Sequence, residues 1–345
     1  MIALNQSGNR LRVVRIDGTV LFERRIRNDG NWGTPSICVL DINGDGREEI
    51  IVSSTNGALE ASIAAYDNRG DEIARYGLNT YIKDDYGIGV PLIGKIKTTE
   101  KRIGIIIAVS GGIVAALDCS FNEIWRRTDM RKDFGHELHT VDIDNDGFDE
   151  VAFCTLDHIN VGYYENRSNT GELVVLDHNG KDILRRPIKE YFRDTHFDDI
   201  AIADFTGNGK MEILTEKGIL IDMKGNVIWD VSAQFDHGQW IAYTDNPIGK
   251  GKLILITELW GTKGKSALLD GNGNKIATID SFNRTSLPEG LANWKILPTR
   301  CHAVKWTKDS PVEFFFAEQL CSPFSHNAFE TKGARLKAYF MDLEG

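Results

Sequence analysis

The sequence predicts an all-β chain made of repeated four-stranded antiparallel units, and three observations predict it. A hairpin signature recurs about every 50 residues along the 345-residue chain. A second pair of strand-like runs, joined by a polar and often acidic loop, precedes most of those hairpins. No stretch of convincing length carries the apolar periodicity of a helix.

The hairpins read, in order, "VVRIDGTVLF", "AAYDNRGDEIA", "AALDCSFNEIW", "VVLDHNGKDIL", "ILIDMKGNVIW", "ALLDGNGNKIA" and "AYFMDLEG". Their aspartates are Asp17, Asp67, Asp118, Asp177, Asp222, Asp270 and Asp342. In each, an alternating apolar run ends at a turn and restarts beyond it, the sequence mark of two paired strands. The preceding strand pairs are "ICVLDINGDGREEIIV", "HTVDIDNDGFDEVAF", "IAIADFTGNGKMEIL" and the less acidic "IAYTDNPIGKGKLILI". Four strands per unit at this period define a β-propeller. The expectation is a single domain over residues 1–345 with seven four-stranded antiparallel blades. The first unit lacks an innermost strand and the last an outermost one.

Bulk properties narrow the function. At 41% hydrophobic residues the chain can fill a large core. A formal net charge of −10 argues against nucleic acid as a partner, because the phosphate backbone selects for basic surfaces. There is no apolar run of membrane-spanning length, and "MIALNQSGNR" lacks the charged, apolar and small-residue succession of a signal peptide. Five cysteines without a CxxC pair give no disulfide framework, and Cys38 and Cys154 sit in apolar runs as core residues. The chain is expected to be monomeric and to touch no membrane.

The acidic loops have the oxygen spacing of a hard-cation site. They align as Asp41-x-Asn43-x-Asp45-Gly46-x-x-Glu49, as Asp142-x-Asp144-x-Asp146-Gly147-x-x-Glu150 and, less charged, as Asp204-x-Thr206-x-Asn208-Gly209-x-x-Glu212. Oxygen ligands at alternate positions, a glycine for the sharp turn and a closing carboxylate suit Ca2+. The carbonyls of Arg47, Phe148 and Lys210 are further candidate ligands. The fourth loop, from Asp245, has lost its acids and is expected to hold no metal.

Strand direction separates a second group of residues from these loops. Each loop follows the innermost strand, whereas the residues entering that strand lie at its other end, about 15 to 20 Å away at ~3.3 Å per residue. There the sequence places His136 and His139 in "GHELHTVDID", His196 in "DTHFDDIAIAD" and His237 in "DHGQWIAYTD". The insertion "TLDHINVGYYENRSNTG" opens on the same face with His158, Tyr163, Tyr164 and Arg167, and the link "PIKEYFRDTH" adds Lys189, Tyr191 and Arg193. Imidazole, phenol and guanidinium groups gathered in one cleft are the parts needed to abstract a proton beside a neutralised carboxylate. Clustered carboxylates are mostly committed to the loops, so no spare pair marks a glycoside hydrolase.

The acidic loops resemble the FG-GAP or VCBS repeat of calcium-binding propellers. "NWGTPSICVLDINGDGREEIIV" and "GHELHTVDIDNDGFDEVAF" resemble the blade openings of rhamnogalacturonan lyases, and the single-propeller length is similar to that of ulvan lyases and related rhamnose-glucuronate lyases. The resemblance implies a polysaccharide lyase that cleaves a uronic-acid-containing polysaccharide or oligosaccharide by β-elimination, secreted or periplasmic, with structural Ca2+. It also implies a paired-histidine arrangement matched by His136 and His158. Tyr191 and Arg193 are taken as the remaining catalytic pair, with Tyr163, Arg167 and Tyr243 as substitutes. His139, Tyr163, Arg167, His196 and Trp240 are candidate substrate-binding residues. A non-catalytic, calcium-stabilised propeller that binds glycan or protein through the same face is the alternative. A structural Zn2+ is a further expectation, because "RCHAVKW" and "EQLCSPFSH" supply Cys301, His302, Cys321 and His326, with His237 of the neighbouring blade as the alternative to His302.

Overall fold

The computed structural model describes residues 2–6, 10–15, 17–26, 36–56, 60–81, 92–98, 103–109, 111–131, 133–156, 171–191, 199–235, 238–247, 249–258, 266–279, 295–304, 313–321 and 338–341. The chain has the β-propeller fold, and its sheets fall into two compact units, Met1–His196 and Phe197–Gly345.

The first unit holds a three-stranded sheet, β1 (Ile2–Gln6), β2 (Arg10–Val14) and β3 (Val20–Arg25). Three four-stranded sheets follow: β4 (Ile37–Leu40), β5 (Glu49–Asn56), β6 (Glu60–Tyr66) and β7 (Glu72–Tyr81); β8 (Leu92–Lys97), β9 (Ile103–Val109), β10 (Ile113–Leu117) and β11 (Glu123–Arg127); and β12 (Asp133–Val141), β13 (Glu150–Leu156), β14 (Glu172–Leu176) and β15 (Asp182–Pro187). The second unit holds β16 (Ile200–Ala203), β17 (Glu212–Thr215), β18 (Ile219–Asp222) and β19 (Val227–Asp230), then β20 (Gly238–Asp245), β21 (Lys252–Glu258), β22 (Ser266–Asp270) and β23 (Lys275–Ile279). Its last sheet has three strands, β24 (Lys295–Val304), β25 (Glu313–Cys321) and β26 (Ala338–Met341). Every sheet is an antiparallel meander in chain order. Within the units β4 lies beside β8, β8 beside β12 and β20 beside β24, so the first strands gather on the propeller's inner side.

Burial explains the apolar patterns. The two middle strands of a blade are covered on both faces by neighbouring sheets, so they read as unbroken apolar runs: Ile105, Ile106 and Ile107 of β9, and Val114 to Leu117 of β10, are fully buried. Outer strands are covered on one face and alternate. In β15 Leu184 is buried while Ile183 remains 45% exposed.

The recurrent hairpin aspartate is a turn cap. Asp177 Oδ1 accepts the amides of Asn179 and Lys181 at 2.9 and 2.8 Å. Asp67, Asp118, Asp222 and Asp270 make the same pair of bonds. Such side-chain turns hold the strand register without metal. The first hairpin departs from the expected alignment. There Arg15 takes the capping position, its amide donating to Thr19 O and its carbonyl accepting from Gly18, and Asp17 lies within the turn instead.

Candidate cation loops and the opposite strand ends

Three sheets pass from their first strand to the second through the expected acidic loops, and in each the closing glutamate is buried: Glu49 is 3% exposed, Glu150 2% and Glu212 1%. A buried carboxylate needs donors or a cation. The three loops meet that need differently.

In the first loop, Asp41 Oδ1 and Oδ2 accept the amides of Gly44 and Gly46, Asn43 Oδ1 accepts Asp45 N, and Asp45 Oδ1 accepts Arg47 N. Glu49 accepts Ile42 N through one oxygen and the Asn43 side-chain amide through the other. The third loop is satisfied in the same manner. Glu212 Oε2 accepts Thr206 N, and its Oε1 accepts both Thr206 Oγ1 and Asn208 Nδ2 at 2.5 and 2.9 Å. Asp204 accepts from Asn208 and Gly209, and Asn208 Oδ1 from Lys210.

The second loop lacks those internal donors. Asp144 and Asp146 stand where the others carry Asn43, Thr206 and Asn208 and have no hydrogen to give Glu150, which accepts the Ile143 amide at 2.7 Å. Asp142 Oδ2 accepts Gly147 N, but its Oδ1 is cut off from solvent with no partner. Asp146 accepts the amide of Phe148, and Asp144 that of Asp146. Burial, and then the carboxylates of Asp144, Asp146 and Asp142, push Glu150 up to about 7 against the pull of the Ile143 amide. Oxygens of Asp142, Asp144 and Asp146 lie within 4.8 Å of one another, a spacing that fits a shared cation. Asn145 adopts φ 62° where the other two loops use Gly44 and Gly207, a left-handed position that asparagine tolerates. Asp149 points elsewhere: its Oδ2 accepts Lys97 N at 2.6 Å and ties the loop to β8. Asp245, at the head of the fourth loop, pairs with Lys252 at 2.6 Å.

His178 is a neighbour that the spacing of the acidic loop did not announce. It belongs to the β14–β15 turn, and one of its ring nitrogens groups with carboxylate oxygens of Asp146 and Glu150 within 4.8 Å.

At the opposite strand ends, β12 carries both His136 and His139. Its pairing with β13 slips between Phe134 and Leu138, so His136 lies in a bulge, while His139 is half-buried and pairs with Ala152. Corresponding bulges interrupt β20 between Gly238 and Trp240 and β24 between Pro298 and Arg300. Bulges re-aim side chains and concentrate next to binding sites. Trp240 is buried and opposes Thr257. Tyr191 is half-buried and closes a short 3-10 turn, Ile188–Glu190, its amide donating to Ile188 O. His158, Tyr163, Arg167, Arg193, His196, His237 and His326 lie outside the described residues. Tyr243 packs edge-on against Phe205 and donates to Ile202 O at 3.2 Å, with its hydroxyl pushed up by burial. That makes it an anchor between β16 and β20 rather than a substitute base.

Of the expected zinc set, Cys301 lies in β24 opposite Phe316 and Cys321 ends β25 opposite Lys295.

No family model and no curated protein matches the chain. Solved structures do. The Bacillus licheniformis rhamnogalacturonan lyase PL11 superposes with a TM-score of 0.55 at 17% identity, covering 78% of this chain and 51% of its own, so this chain spans about half that lyase's length. BBS1N, solved in complex with ARL6DN, gives 0.56 at 9% identity over 91% of this chain and 83% of its own. The Dos1 propeller gives 0.54 at 14% over 92% and 72%. At these identities the likeness defines the class of protein, a β-propeller.

Proposed function

We propose that this chain is a propeller polysaccharide lyase that cleaves a uronate-containing glycan of the ulvan, rhamnogalacturonan or rhamnose-glucuronate type. The observation that carries the reading is the polarity of β12. His136 sits in a bulge near the start of the strand, and the acidic loop follows its other end. The fold-level likeness to a rhamnogalacturonan lyase supports the same reading.

In this proposal Arg193 and His158 hold the uronate carboxylate and withdraw charge from C5. Tyr191 or His136 accepts the C5 proton as the C5–H pair becomes the C4=C5 double bond. The C4–O bond breaks, and an acid of the same cleft protonates the leaving oxygen, so an unsaturated uronate and a new chain end result. His139, Tyr163, Arg167, His196 and Trp240 line the sugar subsites.

Ca2+ belongs to the stability of the scaffold. Asp142, Asp144, Asp146 and Glu150, with the Phe148 carbonyl, would hold one ion, and Asp41, Asn43, Asp45 and Glu49, with the Arg47 carbonyl, a second. Asp204, Asn208 and Glu212 are the weakest set, because Thr206 and Asn208 already serve Glu212. The bound ion neutralises carboxylates that otherwise repel.

The test is incubation with ulvan, rhamnogalacturonan and gum-arabic-type glycans while following the short-ultraviolet absorbance of the unsaturated product. We expect product from at least one, abolished by His136→Ala with melting temperature unchanged. Retention of glycan on a column without product would assign the chain instead to the glycan-binding propellers.

A further inference from the structure

We infer that Asp146, Glu150 and His178 form a mixed carboxylate–imidazole site for a first-row transition-metal dication, which competes with Ca2+ for the second acidic loop. This does not depend on lyase activity.

The first argument is the donor set. His178 Nδ1 lies 3.8 Å from Asp146 Oδ2, too far for a hydrogen bond. Two ligands on one ion at bonds of about 2.0–2.2 Å stand roughly 3–4 Å apart, which is the separation seen. Nδ1 is shut off from solvent and has no hydrogen-bond partner, like Asp142 Oδ1 on the other side of the loop. Two buried atoms without hydrogen-bond partners, beside one carboxylate cluster and each able to offer a lone pair, suit a shared cation.

Positioning is the second argument. The Phe148 ring lies 4.7 Å from the imidazole, tilted by 41°. Phe148 is itself held by Asp146 through its amide, so the loop supplies the surface on which the histidine rests. Trp125 Nε1 donates to the His178 carbonyl at 2.9 Å and fixes the turn from β11. Asn179 Nδ2 lies 2.8 Å from His178 Nε2, and exchanging the amide's nitrogen and oxygen keeps this contact with Oδ1 as the acceptor. With the Asn179 carbonyl turned inward to accept Nε2–H, the tautomer presents a lone pair at Nδ1, the arrangement usual behind a ligating histidine.

Co-occurrence is the third. The equivalent turn position carries Asn68, Cys119, Met223 and Gly271 in the other capped hairpins, and the Cys119 thiol donates to Ile103 O. The one imidazole among them faces the one loop whose closing glutamate has no side-chain donor. Calcium takes oxygen ligands, whereas an imidazole favours a more polarisable dication. The two overlapping donor sets share Asp146: the aspartate triad suits Ca2+, and the imidazole side suits Mn2+ or its neighbours.

The experiment loads the chelator-treated full chain with Mn2+ and titrates it by electron paramagnetic resonance, with Ca2+ as competitor. His178→Asn places there the residue found at Asn68 and keeps the turn. It should weaken Mn2+ at least tenfold while leaving Ca2+ affinity within twofold; Asp142→Asn should do the reverse. Pulsed spectra of the Mn2+-loaded native chain should show nitrogen hyperfine coupling that His178→Asn removes. Equal Mn2+ affinity in native and His178→Asn proteins, or native Mn2+ spectra without nitrogen coupling, would overturn the site.

Discussion

Residue identity at two loop positions decides whether an acidic loop can stand without a cation. Asn43 in the first loop, and Thr206 and Asn208 in the third, give the closing glutamate a hydrogen bond that Asp144 and Asp146 cannot give Glu150. A hydrogen bond to a charged group contributes about 1.5–3 kcal/mol, and removing one carboxylate also relieves repulsion. Asp144→Asn should therefore stabilise the chelator-treated protein, raising its melting temperature by roughly 1–2 °C for each kcal/mol gained. With saturating Ca2+ the sign should reverse, because a charged ligand is lost. Calorimetry in both conditions checks this; a lower melting temperature in chelator would mean that Asp144 is already paired. The loop spacing was legible because a ligand pattern is local in sequence. His178 was not, since its turn reads only as a capped hairpin and its approach to Asp146 exists only once β13, β14 and β15 have paired.

At the scale of elements, three of the capped turns are latched to the preceding sheet by an exchange of bulk. A side chain at Gly70 would meet the Phe22 ring at 2.7 Å, one at Gly180 the Trp125 ring at 2.8 Å, and one at Gly273 the Trp229 ring at 2.9 Å. The turn glycine is thus excused a Cβ both by its left-handed φ and by the ring lying over it. One latch is inverted. The outer strand β7 carries Ala74 where β3, β11 and β19 carry rings, and the next turn carries Phe121 at φ 63° where the others carry glycine. Phe121 is 7% exposed, and Ala74 packs against its cluster. Phe121→Gly relieves the backbone but opens a cavity, so a loss of about 3 kcal/mol is expected. Ala74→Trp alone should overpack and destabilise. The double variant should recover at least half the summed loss in denaturant unfolding, and simple additivity would show that the two sites do not share the latch. Repeats of strand and turn were readable from alternation and glycine spacing. The slip in the first hairpin, where Arg15 rather than Asp17 takes the capping place, was not, because its turn lacks the aspartate at that position and the nearest aspartate was the one to align.

For the whole molecule, a net charge of −10 makes the placement of its arginines consequential. Fold class followed from repetition because every blade solves the same burial problem, but how adjacent sheets are tied electrostatically depends on side chains far apart in sequence. Asp129, after β11, accepts from Arg127 at 2.7 Å and from Arg185 of β15 at 2.9 Å, while Arg185 also binds Glu172 and Arg127 reaches Asp182. Bonds from Arg127, and then from Arg185, hold the Asp129 carboxyl well below the usual carboxylate range despite its partial burial. A depressed native pKa means that the stabilisation is fully present above the unfolded value near pH 4 and is lost as pH falls through the native value. Asp129 is 52% exposed, so solvent screens the network and its contribution is about 1 kcal/mol rather than the sum of its bonds. Asp129→Asn should lower stability by that amount from about pH 5 to 8 and in low salt more than in high. The gap to the native protein should narrow as pH falls below about 4 and close only once the native carboxylate is itself protonated. Urea unfolding across this range measures it, and a gap that stayed constant with pH would assign Asp129 to packing instead of charge.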